Sequence, residues 1–172
     1  GVMQGLMWRA VNADGTLTMN QMTARAVVCQ GRRLAVSGEG YAATGTLTAP
    51  DGQALSATPA LERLLHAAAL ANDSRIHDGQ LIGDPTEGAL LALAAKGGVD
   101  PETLAQQRPR IAEIPFDSAY KFQATFHHDG ETVRVCVKGA PDVLLARTGR
   151  HLVGQAGADE APMDDAARAH WA

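Results

Sequence analysis

The chain has 172 residues, 45% of them hydrophobic and 4% aromatic, with 15 Lys and Arg against 19 Asp and Glu for a net charge of −4. That length and apolar content suit one domain with a buried core and exclude a disordered chain. Cations scattered over a net acidic chain exclude a nucleic-acid surface, which needs clustered positive charge, and leave any anionic ligand to a few local Lys or Arg.

In chain order, "ARAVVCQGRRLAVSG" reads as two strands, Ala26 to Cys29 and Arg33 to Val36, around a turn at Gln30-Gly31. "GYAATGTLTAPDG" carries a short strand, Thr44 to Thr48, bounded by Gly and by Pro50-Asp51-Gly52. "TPALERLLHAAALAND" is a helix: Thr58 caps, Pro59 suits the first turn, and Leu61, Leu64, Leu65, Ala68 and Ala69 share a face. "GDPTEGALLALAAKGG" is a second helix, ended by Gly97-Gly98, and "PETLAQQ" a short third. "RIAEIPF", "KFQATFHHDG" and "ETVRVCVKG" read as strands, the last two joined at Asp129-Gly130. "APDVLLARTG" is a further helix. The tail from about Gly154 reads as loose, with a weak helix from Pro162 to Trp171. Strands both before and after the helices, with hairpin turns, predict an α+β fold: a largely antiparallel twisted sheet flanked by helices, without a Rossmann unit.

Cys29 and Cys136 each lie inside an apolar run, and two buried thiols in a reducing compartment are the reading preferred over one disulfide. Neither has a metal-ligand partner in spacing, and His127-His128-Asp129 reads as the end of a hairpin rather than a metal cluster. No apolar run approaches the roughly 20 residues that cross a bilayer.

Three stretches carry candidate chemistry. In "GDPTEGALL", Asp84, Pro85 and Glu87 have the spacing of a capping box, and a Glu87 spent on its own helix end is the preferred reading. The alternative is a Glu87 that accepts a hydrogen bond from a ligand amine. In "IPFDSAYKFQAT", Phe116 and Lys121 lie a short loop apart, a ring to stack a base and a cation for ribose or phosphate. Gln123, two residues past Lys121, is placed on the same side if both are in a strand. The alternative is Phe116 in the core and a solvated Lys121. In "VCVKGAPDVLL", Lys138, Gly139 and Ala140 precede a helix that Pro141 starts, which makes either an anion-friendly corner or an ordinary strand-to-helix turn. Neither G-x-x-x-x-G-K-[ST] nor G-x-G-x-x-G is present.

Taken in order, "GTLTMNQMT", "GEGYAATG", "GDPTEGALL", "PFDSAYKFQAT" and "VKGAPDVLL" resemble the nucleotide-binding domain of P-type cation-transporting ATPases, in the branch of the calcium and sodium/potassium pumps and their bacterial relatives. The resemblance runs from about Asp14 to Arg147. It implies a cytoplasmic domain of an integral membrane pump, with ATP as ligand and with the phosphorylation and actuator domains of the same pump as partners. The domain itself touches neither membrane nor nucleic acid. Phe116 matches the ring that stacks on adenine, Glu87 the acid near the adenine amine, Lys121 the lysine beside the nucleotide, and Gln123 its polar neighbour. Lys138, Gly139 and Ala140 match the floor motif K-G-A-P-E, in which Asp142 replaces the usual Glu. Asp84 and Thr86 match polar residues flanking the pocket.

The family's phosphorylation motif is D-K-T-G-T-L-T, yet Asp14 abuts Gly15 directly. Residues 1–14 are therefore read as a linker or cloning remnant, and 15–172 as a single nucleotide-binding domain. The expectation is an excised domain that ends before a hinge arginine and binds ATP without hydrolysing it. Its Mg²⁺ comes mainly from the phosphorylation domain. The alternative is a structural or interaction domain that keeps the fold and binds no nucleotide.

Overall fold

The computed structural model describes residues 2–3, 10–12, 21–53, 58–154 and 159–171. Asp14 and most of "GTLTMNQMT" lie outside them. The described strands and helices begin with β1 (Val2–Met3), β2 (Ala10–Asn12), β3 (Met22–Ala24), β4 (Ala26–Cys29), β5 (Arg32–Val36), β6 (Leu47–Thr48) and α1 (Pro59–Leu70). There follow β7 (Arg75–His77), β8 (Gln80–Ile82), α2 (Pro85–Lys96) and α3 (Pro101–Gln107). The rest are β9 (Arg110–Asp117), β10 (Phe122–Asp129), β11 (Thr132–Gly139), α4 (Pro141–Arg147), β12 (Arg150–Val153), β13 (Asp159–Pro162) and α5 (Asp165–Trp171).

The fold is α+β, as the residue patterns predict. Its strands divide among several short sheets, ordered β1-β12-β13, β11-β10-β9, β2-β3, β4-β5-β6 and β7-β8. Every described ladder is antiparallel except β1 with β12. Local chemistry explains the ends of the elements. The Thr58 hydroxyl accepts the Leu61 N–H at 3.2 Å, and Pro59 fills the first position of α1. Gln30 and Gly31 both take positive φ, 52° and 71°, as a tight hairpin between right-twisted strands requires. The expected strand at Thr44 to Thr48 shrinks to Leu47–Thr48, because only those residues pair with β5.

Three antiparallel pairs of successive strands were not anticipated, the first being β2 with β3. β7 and β8 turn at Asp78-Gly79, whose φ values are 49° and 76°. The Asp-Gly pair is legible in "RIHDGQLI", but three-residue strands show too little alternation to stand out. In the tail, β13 pairs with β12, and α5 is tied down where the Arg168 guanidinium donates to the carbonyls of Leu145 and Thr148.

The main core lies between the β4-β5-β6 sheet and α1, where Val27, Leu34, Val36 and Leu47 meet Leu61, Leu64 and Leu65, with Leu93 from α2. Each fully buried Leu is worth about 1.5–3 kcal/mol. A second cluster joins Leu70, Ala71, Ala94 and Leu104 to Cys136 on β11, so α1 bridges the two halves of the chain. Cys29 and Cys136 are free and buried, and burial pushes the Cys29 thiol up to about 11.

The β9-β10-β11 sheet positions the site. Its register sets Gln123 opposite Lys138, Thr125 opposite Cys136, and Phe122 opposite Gly139. Across the other ladder, Thr125 faces Glu113, Ala124 faces Ile114 and Phe122 faces Asp117, with a bulge between Phe122 and Ala124. Pro115 and Phe116 occupy that bulge. The face carrying Gln123, Thr125 and His127 is buried against the helices.

Candidate functional site

The site grows from the end of α1. Past Leu70 the chain runs Asn72-Asp73-Ser74, three polar residues in a turn that meets the start of α2 and the face of the sheet. Asn72 Nδ2 donates to the Glu87 carbonyl at 2.9 Å, and its Oδ1 accepts the Ser74 N–H at 2.9 Å. Asp84 caps α2: its Oδ1 accepts the N–H groups of Thr86 at 2.8 Å and Glu87 at 3.2 Å. The expected capping box is not formed. The Asp84 N–H donates to Ser74 Oγ at 2.9 Å, which leaves the Glu87 carboxylate free to leave its own helix.

Glu87 instead reaches across to the sheet. Its Oε1 accepts from Lys138 Nζ at 2.5 Å, and its Oε2 accepts from Ser74 Oγ at 2.9 Å and the Asp73 N–H at 3.1 Å. Its side chain is 14% exposed and that of Lys138 26%, so the pair is only partly screened by water.

Gln123 is 2% exposed, and its amide donates to Asp73 Oδ2 at 2.8 Å. The other oxygen of Asp73 accepts from Arg110 Nη1 at 2.6 Å, which also donates to Glu113 at 2.6 Å. Arg110 Nη2 donates to the carbonyls of Asn72 at 2.6 Å and Leu70 at 3.2 Å. Burial pushes the Asp73 carboxyl up, but hydrogen bonds from Arg110 and Gln123, with the charges of Arg110 and Lys138, outweigh it and hold the group below the usual carboxylate range.

At the sheet's end, Phe116 is 62% exposed, so the ring is not a core residue. Lys121 has φ of 56° in the turn before β10 and is exposed. It is therefore not on the strand, the two-residue alternation does not link it to Gln123, and Gln123 turns inward while Lys121 meets solvent. The Lys121 carbonyl accepts the Ala140 N–H at 2.9 Å, which fastens this turn to the Lys138-Gly139-Ala140 corner. A Cβ on Gly139 would stand 2.5 Å from the Lys121 carbonyl oxygen and 2.5 Å from Phe122 Cβ. Glycine at that corner thus admits the chain's own backbone rather than a ligand, and the Ala140 N–H is committed internally. Beside the corner, the Arg147 guanidinium lies 5.2 Å from the Phe122 ring centroid. Thr86 Oγ1 contacts the Met22 sulfur at 3.1 Å.

The predicted site residues therefore converge. Phe116, Lys121, Gln123, Lys138, Gly139 and Ala140 occupy one end of one sheet, and Glu87 joins them to Asp84 and Thr86 at the start of α2. A cleft of about 500 Å³ lined by Glu62, Leu65, His66, Val99, Thr103 and Gln107 contains none of them. Among the described residues no group of three or more His, Cys, Asp or Glu is arranged to hold a metal ion.

A family model described as "P-type ATPase, cytoplasmic domain N" matches residues 60–172. The chain belongs to the P-type ATPases. It is 43% identical over 143 residues to Cation-transporting ATPase pma1 of Synechocystis sp., covering 77% of this chain and 16% of that protein. It is 41% identical over 160 residues to Probable cation-transporting ATPase F of Mycobacterium tuberculosis, covering 88% of this chain and 17% of the relative. With Calcium-transporting ATPase of Bacillus subtilis the identity is 39% over 142 residues, 79% of this chain and 16% of the relative. The chain thus spans about a sixth of the length of the curated relatives it matches. No described helix is long and apolar enough to cross a membrane.

Within this P-type ATPase domain, sequence reasoning passed over Asp73, Ser74 and Arg110. The available signal was the polar triplet directly after an apolar helix. Its partners lie far along the chain, Arg110 being 37 residues from Asp73 and Lys138 51 from Glu87, so spacing could not supply them.

Proposed function

We propose that this chain is the ATP-holding domain of a larger cation-transporting pump. It seats the adenosine part of ATP and presents the γ-phosphate to an aspartate in a separate phosphorylation domain of the same polypeptide. The parent thereby drives ion movement across a membrane, with this domain on the cytoplasmic side and the actuator domain as a further partner. Membership of the P-type ATPase family supports this reading. The observation that carries it is the register that sets Gln123 opposite Lys138, next to a β9 bulge that holds an exposed Phe116, with the Lys121 turn fastened to the Lys138-Gly139-Ala140 corner.

In this reading Phe116 offers a ring face to the purine, a contact worth roughly 1–3 kcal/mol. Lys121 and Lys138 draw ribose and phosphate oxygens, and Glu87 holds Lys138 and lies where an adenine amine can be received. Asp84, Thr86, Gly139 and Ala140 shape the walls and floor. Bound Mg²⁺ neutralises phosphate charge, its ligands belonging mainly to the phosphorylation domain. This chain's residues bind and orient, and the isolated chain holds ATP without hydrolysing it. Affinity is expected to be weak, with Kd between about a micromolar and a millimolar.

Titration of the chain with ATP, followed by amide NMR shifts, tests the proposal. Shifts are expected to cluster at Glu87, at Phe116 to Gln123 and at Lys138 to Ala140. Phe116→Ala is expected to lose most of the binding, and Lys121→Ala to weaken it in a salt-dependent way. Wild-type affinity in Phe116→Ala refutes the stacking role. An interaction domain without nucleotide, the reading that the exposed Ile114, Val133, Val135 and Val137 of the same sheet favour, predicts no such cluster of shifts.

A further inference from the structure

β9 has an unusual attachment. Residues 111–117 are all exposed, so no buried apolar side chain holds this edge strand to the helices. Its ties are the ladder to β10, interrupted by two register shifts, and the Arg110 side chain at its start. Arg110 donates to Asp73, Glu113 and the carbonyls of Asn72 and Leu70. Asp73 meanwhile holds Gln123 of the central strand with its other oxygen and touches the Glu87 carboxylate with its N–H. Glu87 in turn holds Lys138 of the third strand. One residue therefore connects all three strands that carry the candidate site, although Asp73 itself lies in the turn after α1.

We propose that Asp73 is a positioning residue of the nucleotide surface: through Arg110, Gln123 and Glu87 it sets the Phe116 strand against the strands bearing Gln123 and Lys138. This rests on the ATP-binding reading above. The chemistry is specific to a two-oxygen acceptor. One oxygen neutralises a guanidinium, the other orients an amide, and an asparagine can keep only the second of these tasks. Without the carboxylate, Arg110 loses its anionic partner on the helical side and keeps Glu113 on its own strand, so β9 is fastened across the layer only by the Arg110 bonds to the Asn72 and Leu70 carbonyls.

The test compares the 172-residue wild type with Asp73→Ala, Asp73→Asn and Arg134→Ala. Arg134 pairs with Asp129 at the opposite end of the same sheet, so its loss reports general weakening of the sheet. ATP affinity is read by NMR titration, thermal stability by melting, and the Phe116 and Gln123 amide shifts are read before ATP is added. Asp73→Ala is expected to weaken ATP about tenfold, and Asp73→Asn about threefold. Both variants move the ligand-free Phe116 amide, whereas Arg134→Ala lowers the melting temperature and leaves affinity and that amide unchanged. If Asp73→Ala does not fold, the Asn variant decides. Wild-type affinity in both Asp73 variants overturns the proposal, and so does an equal affinity loss in Arg134→Ala. If the wild type itself shows no ATP-dependent shifts at Phe116, the ATP-binding reading fails first, and the ligand-free Phe116 amide then reports separately whether Asp73 positions β9.

Discussion

The two faces of the β9-β10-β11 sheet are opposites. One presents Gln123, Thr125 and His127 with Cys136, and it is buried against α1 and the Asn72-Asp73-Ser74 turn, with half-buried Lys138 at its edge. The other presents Val133, Val135, Val137 and Ile114, which are 42–52% exposed. Hydrophobic alternation alone assigns these faces the other way round, since β11 is apolar at every second residue from Val133. The polar face can be buried because its groups are partnered. His127 Nδ1 lies 3.0 Å from the Arg108 carbonyl and therefore donates to it, leaving Nε2 to accept from Thr125 Oγ1 at 2.9 Å. Gln123 and Lys138 are held by Asp73 and Glu87. A buried polar group costs stability only when its hydrogen bonds are unmade, so a satisfied network, rather than hydrophobicity, orients this sheet.

Breaking the polar face should therefore cost far more than changing the apolar one. The largest effect is expected from Glu87→Ala, which strips Lys138, Ser74 and the Asp73 N–H of their shared acceptor. With the pair partly exposed, a loss of about 2–4 kcal/mol in urea unfolding is expected, and a cost below 0.5 kcal/mol would show that the network is ornamental. Thr125→Val removes, from a residue with no exposed surface, the hydroxyl that meets both His127 Nε2 at 2.9 Å and the Leu70 carbonyl at 3.4 Å, for a loss of about 1–2 kcal/mol by the same measurement.

Acid sharpens the comparison further. Burial, with the nearby charge of Arg110, holds the His127 pKa below its ordinary 6.5, although the Arg108 carbonyl pulls it upward. The folded state then binds fewer protons than the unfolded chain. Stability from this face is complete above about pH 6.5 and declines as pH falls below it toward the folded value. Urea midpoints measured between pH 8 and pH 5 check this, and His127→Gln should flatten the slope. The smallest effect is expected on the apolar face, where Val135→Thr should change stability by less than about 0.5 kcal/mol. A large loss there would mean that the face is buried in solution.

Legibility in the sequence followed distance along the chain. Thr58, Asp84 and Pro85 mark their helix starts because a cap bonds within three residues. Gln30-Gly31 and Asp129-Gly130 mark their turns for the same reason. The motifs around Glu87, Phe116 and Lys138 were readable as well, each as a separate stretch. What was misjudged at those positions depends on neighbours from elsewhere. Ser74 takes the N–H that a capping-box Glu87 was expected to bind. The turn at Lys121 breaks the alternation that was expected to pair Lys121 with Gln123.

The amino-acid order by itself determined the helices, the hairpins at Gln30-Gly31 and Asp129-Gly130, the α+β class and the family, since these follow from caps, turns, periodicity and motif order within short windows. Only the tertiary structure decided which face of the sheet is buried, that Glu87 pairs with Lys138, and that Asp73 stands between Arg110 and Gln123. Those partners lie 37 to 51 residues apart. They meet only after strand register and the packing of α1 on the sheet have set them within hydrogen-bond reach.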